Sequence, residues 1–206
     1  RSPDRCDQRY QPGHLALEVI YYFSPGFPGY RGSPSKILAI SIMRILKEQT
    51  AGLVIDIQER LFPLISGNEA LTVNTAILIQ GLRTMGIPLI LTEQYTRGLG
   101  PTIAPLLPWL EGIAPIEKLA FSCCDEPAFM ERLEAMDKKF IVIAGIESHV
   151  CVLQTTIDLL EKGFVPVVVE DCVSSRRLND KQMAIARMRR SGAVITTYES
   201  ILFELL

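Results

Sequence analysis

The amino-acid sequence predicts an α/β protein with a doubly wound, mainly parallel sheet and helices on both of its faces. From about residue 50, apolar runs of strand length alternate with segments whose apolar residues recur at helical spacing. These apolar runs are continuous, which is typical of strands that are buried on both faces. The connections between most strands and helices are short, and this favours parallel strands joined by crossover helices.

The predicted elements follow one another without an internal repeat. The first strand is AGLVID, a short apolar run that ends in a carboxylate, and the first helix stops before Gly86 because glycine ends helices. A proline-rich loop is predicted at residues 99–113. The strands are predicted at residues 51–56, 87–92, 140–145, 164–170 and 193–197. The helices are predicted at residues 68–85, 126–137, 148–162, 177–191 and 199–206.

The first 42 residues differ from the rest of the chain. Residues 24–35 are rich in proline, glycine and serine, which is typical of a loop or linker. We therefore expect residues 1–42 to be an extension, either native upstream sequence or sequence added for expression. The folded domain is expected at residues 43–206.

Composition excludes several classes of partner. A net charge of -2 and an isoelectric point near 5.8 do not favour nucleic acid. The apolar runs are too short for a transmembrane helix, so no membrane contact is expected.

The cysteines and histidines bear on metals and on location. Five cysteines, an odd number in a chain of 206 residues, favour reduced thiols and a cytoplasmic location. Because there are two histidines and no Cys-x-x-Cys pair, a structural zinc site is not expected. No other feature of the sequence indicates a cofactor, and none is expected.

Polar residues at three strand ends are candidates for chemistry, because parallel sheets place their sites at the carboxyl ends of the strands. Asp56 closes the first strand, and Glu93, Gln94 and Tyr95 follow the second. The segment GIESHVC, residues 145–151, follows the strand at 140–145 and opens a helix.

Cys151 is the candidate nucleophile. It falls in the first turn of a predicted helix, where the positive end of the helix dipole lowers a thiol pKa. Helical spacing also directs Cys151 away from the apolar stripe of that helix. The alternative is a buried, unreactive cysteine. His149 is two residues away, and a capping or surface role suits it better than activation of the thiol.

Asp56 and Lys118 are candidates for a catalytic role only in combination with Cys151. Taken alone, Asp56 is as compatible with a turn or a cap as with catalysis, and a single lysine is usually solvated.

At this point the residues resemble a known family. LVIDIQERL (53–61), EKLAFS (117–122) and AGIESHVCVLQTTIDLLEKG (144–163) are similar to the isochorismatase-like cysteine hydrolases. LTEQYTRGLGPT (91–102), VEDCVSSR (169–176) and ARMRRSGA (186–193) resemble the isochorismatase-domain-containing branch of that family. The match runs in order from about residue 43 to residue 206. It implies a three-layer sandwich of the isochorismatase type.

The resemblance implies a catalytic set of Asp56, Lys118 and Cys151. It also implies a cis peptide bond between Ile146 and Glu147, and an oxyanion hole formed by the backbone N–H groups of Glu147 and Cys151. The implied reaction is hydrolysis of a small-molecule amide or related C–N bond through a thioester. The side chains expected to line the substrate pocket are Glu93, Gln94, Tyr95 and Phe121.

The sequence departs from two branches of the family. Nicotinamidases carry an Asp-x-His metal pattern after the second strand, where this chain has Thr92-Glu93-Gln94-Tyr95 and no histidine. True isochorismatases lack the catalytic cysteine, which this chain has at Cys151. The resemblance therefore implies a metal-free amide hydrolase that does not act on nicotinamide.

The resemblance also implies a homo-oligomer, and the apolar C-terminal segment ESILFELL agrees with this. Two alternatives remain open. The domain could be a binding or interaction protein without turnover. It could also be a redox sensor in which Cys123 or Cys124 resolves an oxidised Cys151.

Overall fold

A computed structural model describes residues 44–206, which contain a sheet of six strands that all run parallel. The predicted extension at residues 1–42 lies outside the described residues, and the domain boundary therefore stays a prediction. The strands are β1 Thr50–Ile55, β2 Leu89–Gln94, β3 Ile116–Lys118, β4 Phe140–Ile146, β5 Val165–Ser174 and β6 Val194–Thr196.

Helices cover both faces of the sheet. Helices α1 and α6 pack on one face through leucine and isoleucine side chains, and α3, α4 and α5 pack on the other. The helices are α1 Asn68–Thr84, the short α2 Thr96–Leu99, α3 Pro127–Ala135, α4 Leu153–Glu161, α5 Leu178–Ser191 and α6 Tyr198–Leu205. The predicted doubly wound α/β class is confirmed.

The strand order is β3-β2-β1-β4-β5-β6, so the winding direction reverses between β1 and β4. At such a switch point the loops that leave the two central strands diverge and open a crevice. Asp56 follows β1, and the turn that carries Cys151 follows β4. The topology therefore directs both candidate residues to the same crevice.

The structure corrects several predicted elements. Strand β3 falls where no strand was predicted, and β2 continues through Glu93 and Gln94 instead of ending before them. Strand β5 extends to Ser174 because it pairs with β4 again beyond an irregularity near Gly145. The helix predicted from Ser148 begins as a π-helical turn, Ser148–Val152, before α4.

No helix within residues 44–206 combines the length and the apolar character needed to cross a membrane.

Gly145 marks the closest approach of β4 to β1. Its φ is +152°, and a Cβ at this position would lie 2.5 Å from the carbonyl oxygen of its paired residue, Ile55. Backbone cannot move aside as a flexible side chain can. Glycine therefore allows the two strands to approach directly beneath Asp56.

Replacement of Gly145 by alanine should lower the free energy of unfolding by about 2–3 kcal/mol, through overpacking and an unfavourable φ. Urea unfolding followed by circular dichroism measures this loss. Gly86→Ala is the matched control: its φ is +73°, but no atom lies within 4 Å of the added Cβ, so about 1 kcal/mol is expected. Equal losses in the two variants would contradict the steric argument.

Candidate functional site at the sheet switch point

Lys118 is buried at the end of β3, with 1% of its surface exposed. Its Nζ donates to Asp56 Oδ2 at 2.6 Å. It also donates to the backbone carbonyl oxygens of Ala120 at 3.1 Å and Phe121 at 3.2 Å. An ammonium group has three N–H donors, and each of these has an acceptor here.

Burial alone would lower the pKa of Lys118, but the negative charge of Asp56 and the neighbouring thiols outweigh this and raise it. Lys118 therefore stays protonated and acts as a fixed positive charge.

Asp56 is held from both sides. Oδ2 accepts from Lys118, and Oδ1 accepts from the Thr92 hydroxyl at 2.8 Å. The backbone N–H of Asp56 donates to the Thr92 carbonyl at 3.1 Å, and the residue has a φ of 53°. Aspartate tolerates this left-handed conformation better than most residues. The carboxylate thus has a defined direction, although it is almost fully buried.

Cys151 lies in the π-helical turn after β4, with 4% of its surface exposed. Its thiol donates to Gln94 Oε1 at 3.4 Å. Burial and the charge of Asp56 raise the pKa of Cys151, and the opposing effect of Lys118 is smaller. The predicted lowering of this pKa by the helix N-terminus is therefore wrong for the resting protein. Cys151 rests as a neutral thiol.

The structure brings Asp56, Lys118 and Cys151 into one region, as the sequence predicted. Gln94 connects them, because its Cα is paired with that of Lys118 across β2 and β3 while its side chain accepts from the Cys151 thiol. The charges of Asp56 and Lys118 both act on the Cys151 thiol. A thiol, a carboxylate and an ammonium group therefore occupy one buried crevice.

Glu147 is the first residue after β4, and its peptide bond with Ile146 is cis, as the resemblance implied. The carboxylate of Glu147 is buried and accepts from Arg176 through Nε at 3.1 Å and through the backbone N–H at 2.9 Å. Its carbonyl oxygen accepts from the N–H groups of Val150 and Val152, which fixes the start of the π-helical turn.

The predicted pocket residues occupy different places. Gln94 contacts the Cys151 thiol. Glu93 points to the opposite face of β2, where its Oε1 accepts from the N–H and hydroxyl of Thr102, both at 2.7 Å. The prediction that Glu93 lines the pocket is therefore wrong. Side chains alternate along a strand, so Glu93 and Gln94 cannot both face the crevice.

Tyr95 directly follows β2 and Phe121 lies three residues after the end of β3, and both are about half exposed. Leu119, next to Lys118, is 75% exposed. These apolar side chains therefore belong to the segments that follow β2, which ends at Gln94, and β3, which ends at Lys118. His149 instead contacts Ser175 Oγ through Nδ1 at 3.0 Å.

Sequence reasoning missed Thr92 as a partner of Asp56, and it named Cys123 only as a possible resolving thiol. Thr92 precedes Gln94 by two residues, and this spacing alone places both side chains on the face of β2 that meets Asp56. The Cys123 thiol lies 3.8 Å from the Thr92 hydroxyl, and its backbone N–H donates to Thr155 Oγ1 at 2.9 Å. Within residues 44–206, no three histidine, cysteine or acidic side chains cluster as metal ligands.

The parallel sheet between two layers of helices, with polar groups at its switch point, defines the class as three-layer α/β proteins. Within that class the chain belongs to the isochorismatase family, because the isochorismatase domain matches residues 50–200. The resemblance predicted from the sequence is confirmed.

Relatives of known sequence support the same assignment. The chain is 37% identical over 167 residues to mouse isochorismatase domain-containing protein 2A, covering 81% of this chain and 79% of the mouse protein. It is 37% identical over 169 residues to isochorismatase family protein 1B of Dictyostelium discoideum, covering 80% and 82% of the two chains.

Solved structures show the same fold. MAR1 ribonuclease from Caenorhabditis elegans is 38% identical, with a TM-score of 0.75 over 79% of this chain and 84% of that one. YcaC from Pseudomonas aeruginosa, described with hexane-2,5-diol and covalent acrylamide, is 28% identical, with a TM-score of 0.77 over 81% and 85%. Escherichia coli YcaC, described as an octameric hydrolase of unknown specificity, is 25% identical, with a TM-score of 0.72 over 79% and 81%.

The buried pair of Asp56 and Lys118 should show strong coupling in a double-mutant cycle. Lys118→Met leaves the Asp56 carboxylate buried without its cation, so we expect a loss of about 3–5 kcal/mol in the free energy of unfolding. Asp56→Asn should also destabilise the protein, but the double variant should lose clearly less than the sum of the two. Urea unfolding measures all three, and additive losses would contradict energetic coupling between the two charges.

Alkaline pH should destabilise the protein through its buried thiols. Burial and the charge of Asp56 raise the pKa of Cys123 from 9.0 to about 11, and burial likewise raises the pKa values of Cys124, Cys151 and Cys172. Because the folded thiols hold their protons more tightly, the unfolded state loses protons first as the pH rises. The stability present below pH 9 is therefore lost towards pH 11.

Each such thiol contributes up to about 1.4 kcal/mol per pH unit to that loss. Unfolding free energies measured between pH 8 and pH 11 should give a shallower slope for Cys123→Ala than for the natural chain. An unchanged slope would show that Cys123 does not titrate as its burial requires.

Proposed function

We propose that this chain is a cysteine hydrolase that cleaves the C–N bond of a small amide through a thioester intermediate. The observation that carries the proposal is the buried Asp56–Lys118 pair, whose charges both act on the thiol of Cys151. A buried ion pair is costly to form, and a nucleophile beside it gives the pair a chemical use.

The first half of the reaction forms the thioester. Asp56 takes the thiol proton as Cys151 Sγ attacks the amide carbon, so that a C–S bond forms and the carbonyl electrons move to oxygen. The backbone N–H groups of Glu147 and Cys151 hold that oxyanion. When the tetrahedral intermediate collapses, the C–N bond breaks and Asp56 returns the proton to the leaving nitrogen.

The second half hydrolyses the thioester. Asp56 accepts a proton from water as the water oxygen attacks the thioester carbon. The C–S bond then breaks, and the proton passes from Asp56 to Cys151, which restores the neutral thiol. Amide and water thereby become acid and amine. Lys118 keeps its charge throughout, directing Asp56 and stabilising the thiolate as it develops.

Several further features support this assignment. The structure of P. aeruginosa YcaC contains a covalent amide, acrylamide, on a fold that this chain shares. Tyr95 and Phe121 offer apolar contacts to an acyl group beside Gln94. The net charge of -2 does not favour a polyanionic substrate such as RNA. We therefore do not propose for this chain the ribonuclease activity that the name of the C. elegans relative implies.

We also propose a homo-oligomer, which the octameric E. coli relative supports. A cytoplasmic setting is proposed because it would keep the described cysteines in the free state that they show.

A screen of small amides, ureides and carbamates, read out as ammonia release, tests the proposed function. We expect turnover of at least one amide, and a loss of at least about 10³-fold in Cys151→Ala, because the nucleophile is removed. Cys172→Ala is the matched control, since Cys172 is equally buried but packs on the other face of the sheet.

Retention of activity in Cys151→Ala would overturn the nucleophile assignment. Absence of activity on the whole panel would favour the alternative of a binding protein without turnover.

A further inference from the structure

Glu147 carries a buried carboxylate just before the turn that contains Cys151. Its side chain is 6% exposed, and within residues 44–206 every hydrogen bond that this carboxylate accepts comes from Arg176. The backbone N–H of Arg176 donates to Oε2 at 2.9 Å, and its Nε donates to Oε1 at 3.2 Å and to Oε2 at 3.1 Å. Because a buried carboxylate is unfavourable without a compensating charge, the conformation of Glu147 depends on Arg176.

The main chain of Glu147 holds the turn itself. Its carbonyl oxygen accepts from the backbone N–H groups of Val150 at 3.0 Å and Val152 at 3.3 Å, the two residues that flank Cys151. Cys151 thus lies between two residues that are bonded to the same oxygen. A displacement of the Glu147 main chain would therefore move the thiol. It would also move the N–H of Glu147, which is one of the two donors proposed for the oxyanion.

The extension of β5 brings Arg176 to this position. Beyond the irregularity near Gly145, β4 and β5 pair again as far as Ile146 and Ser174. Glu147 follows Ile146 directly, and Arg176 lies two residues beyond Ser174. The Arg176 side chain is 57% exposed, so its removal leaves no cavity in the core. What its removal does take away is the cation that compensates Glu147.

We infer that Arg176 is a positioning residue, which acts through the Glu147 carboxylate to fix the main chain that sets the place of the Cys151 thiol and of the proposed oxyanion donor. This inference rests on the proposed attack by Cys151. It adds a residue from the exit of β5 that acts on the reacting atoms only through another residue.

The test uses propanal, an aldehyde that adds reversibly to a thiol. The sulfur of Cys151 bonds to the aldehyde carbon, the carbonyl π electrons move to oxygen, and the thiol proton passes by way of Asp56 to that oxygen, so nothing leaves. The adduct resembles the proposed tetrahedral intermediate, and its affinity therefore reports the alignment of the thiol with the oxyanion donors. The propanal concentration that halves the rate of Cys151 alkylation by iodoacetamide, followed by peptide mass spectrometry, measures that affinity.

We expect the affinity for propanal to fall at least about tenfold in Arg176→Ala, because small misplacements of reacting groups have large effects. Arg176→Lys restores a cation beside Glu147 and should recover part of this loss. Arg177→Ala is the matched control, because it makes the same change at the next residue, whose Nε donates to Asp180 Oδ2 at 2.7 Å and not to Glu147. It should leave the affinity unchanged.

A comparison in a second background separates positioning from stability. In Glu147→Gln the charge that Arg176 compensates is absent, so a further Arg176→Ala should change the affinity for propanal by less than about twofold. A role in stability alone would lower the free energy of unfolding in urea and leave the affinity of the folded protein unchanged.

The inference would be overturned by an unchanged affinity in Arg176→Ala, by an equal fall in Arg177→Ala, or by the full fall in the Glu147→Gln background. Each of these results leaves the proposed function in place, because propanal would still protect Cys151 of the natural chain. An absence of protection in the natural chain would instead reject the proposed attack by Cys151, and with it the inference that rests on that attack.

Discussion

The ion pair between Asp56 and Lys118 is the interaction on which the rest of the site depends. Moving two ions out of water costs several kcal/mol per ion, and the cost is offset only when the remaining donors and acceptors are also bonded. Here the Thr92 hydroxyl donates to the second carboxylate oxygen of Asp56, and the carbonyls of Ala120 and Phe121 accept the remaining hydrogen bonds of the Lys118 ammonium group. The strand ends and the loop after β3 must therefore be in place before the pair is stable.

The sheet topology is what makes that pair possible. Asp56 comes from β1 and Lys118 from β3, and β2 lies between these strands and contributes Thr92 and Gln94 from one face. The reversal between β1 and β4 then brings the turn of Cys151 to the other side of Asp56. Gly145 permits the close approach of these two central strands. Backbone packing therefore sets the distances on which the chemistry depends.

Much of this arrangement could be predicted from the sequence, because continuous apolar runs and strand-end polar residues are local signals. Strand β3 could not, since three residues at a sheet edge carry no apolar run. The alternation of side chains along a strand shows that Thr92 and Gln94 share one face of β2 and that Glu93 lies on the other. The prediction that Glu93 lines the pocket did not take this alternation into account. The raised pKa of Cys151 could not be predicted, because it depends on burial by elements distant in the chain.

A neutral resting thiol also bears on the choice between hydrolase and redox sensor. Oxidation by peroxide proceeds through the thiolate, so sensor cysteines are exposed and have low pKa values. Cys151 is buried with a raised pKa, and Cys123, the potential resolving thiol, is buried with a pKa of about 11. In a hydrolase the same setting is useful. The negative charge of Asp56 opposes ionisation of Cys151 until Asp56 itself accepts the thiol proton. The thiolate therefore forms as the sulfur attacks a bound carbonyl carbon.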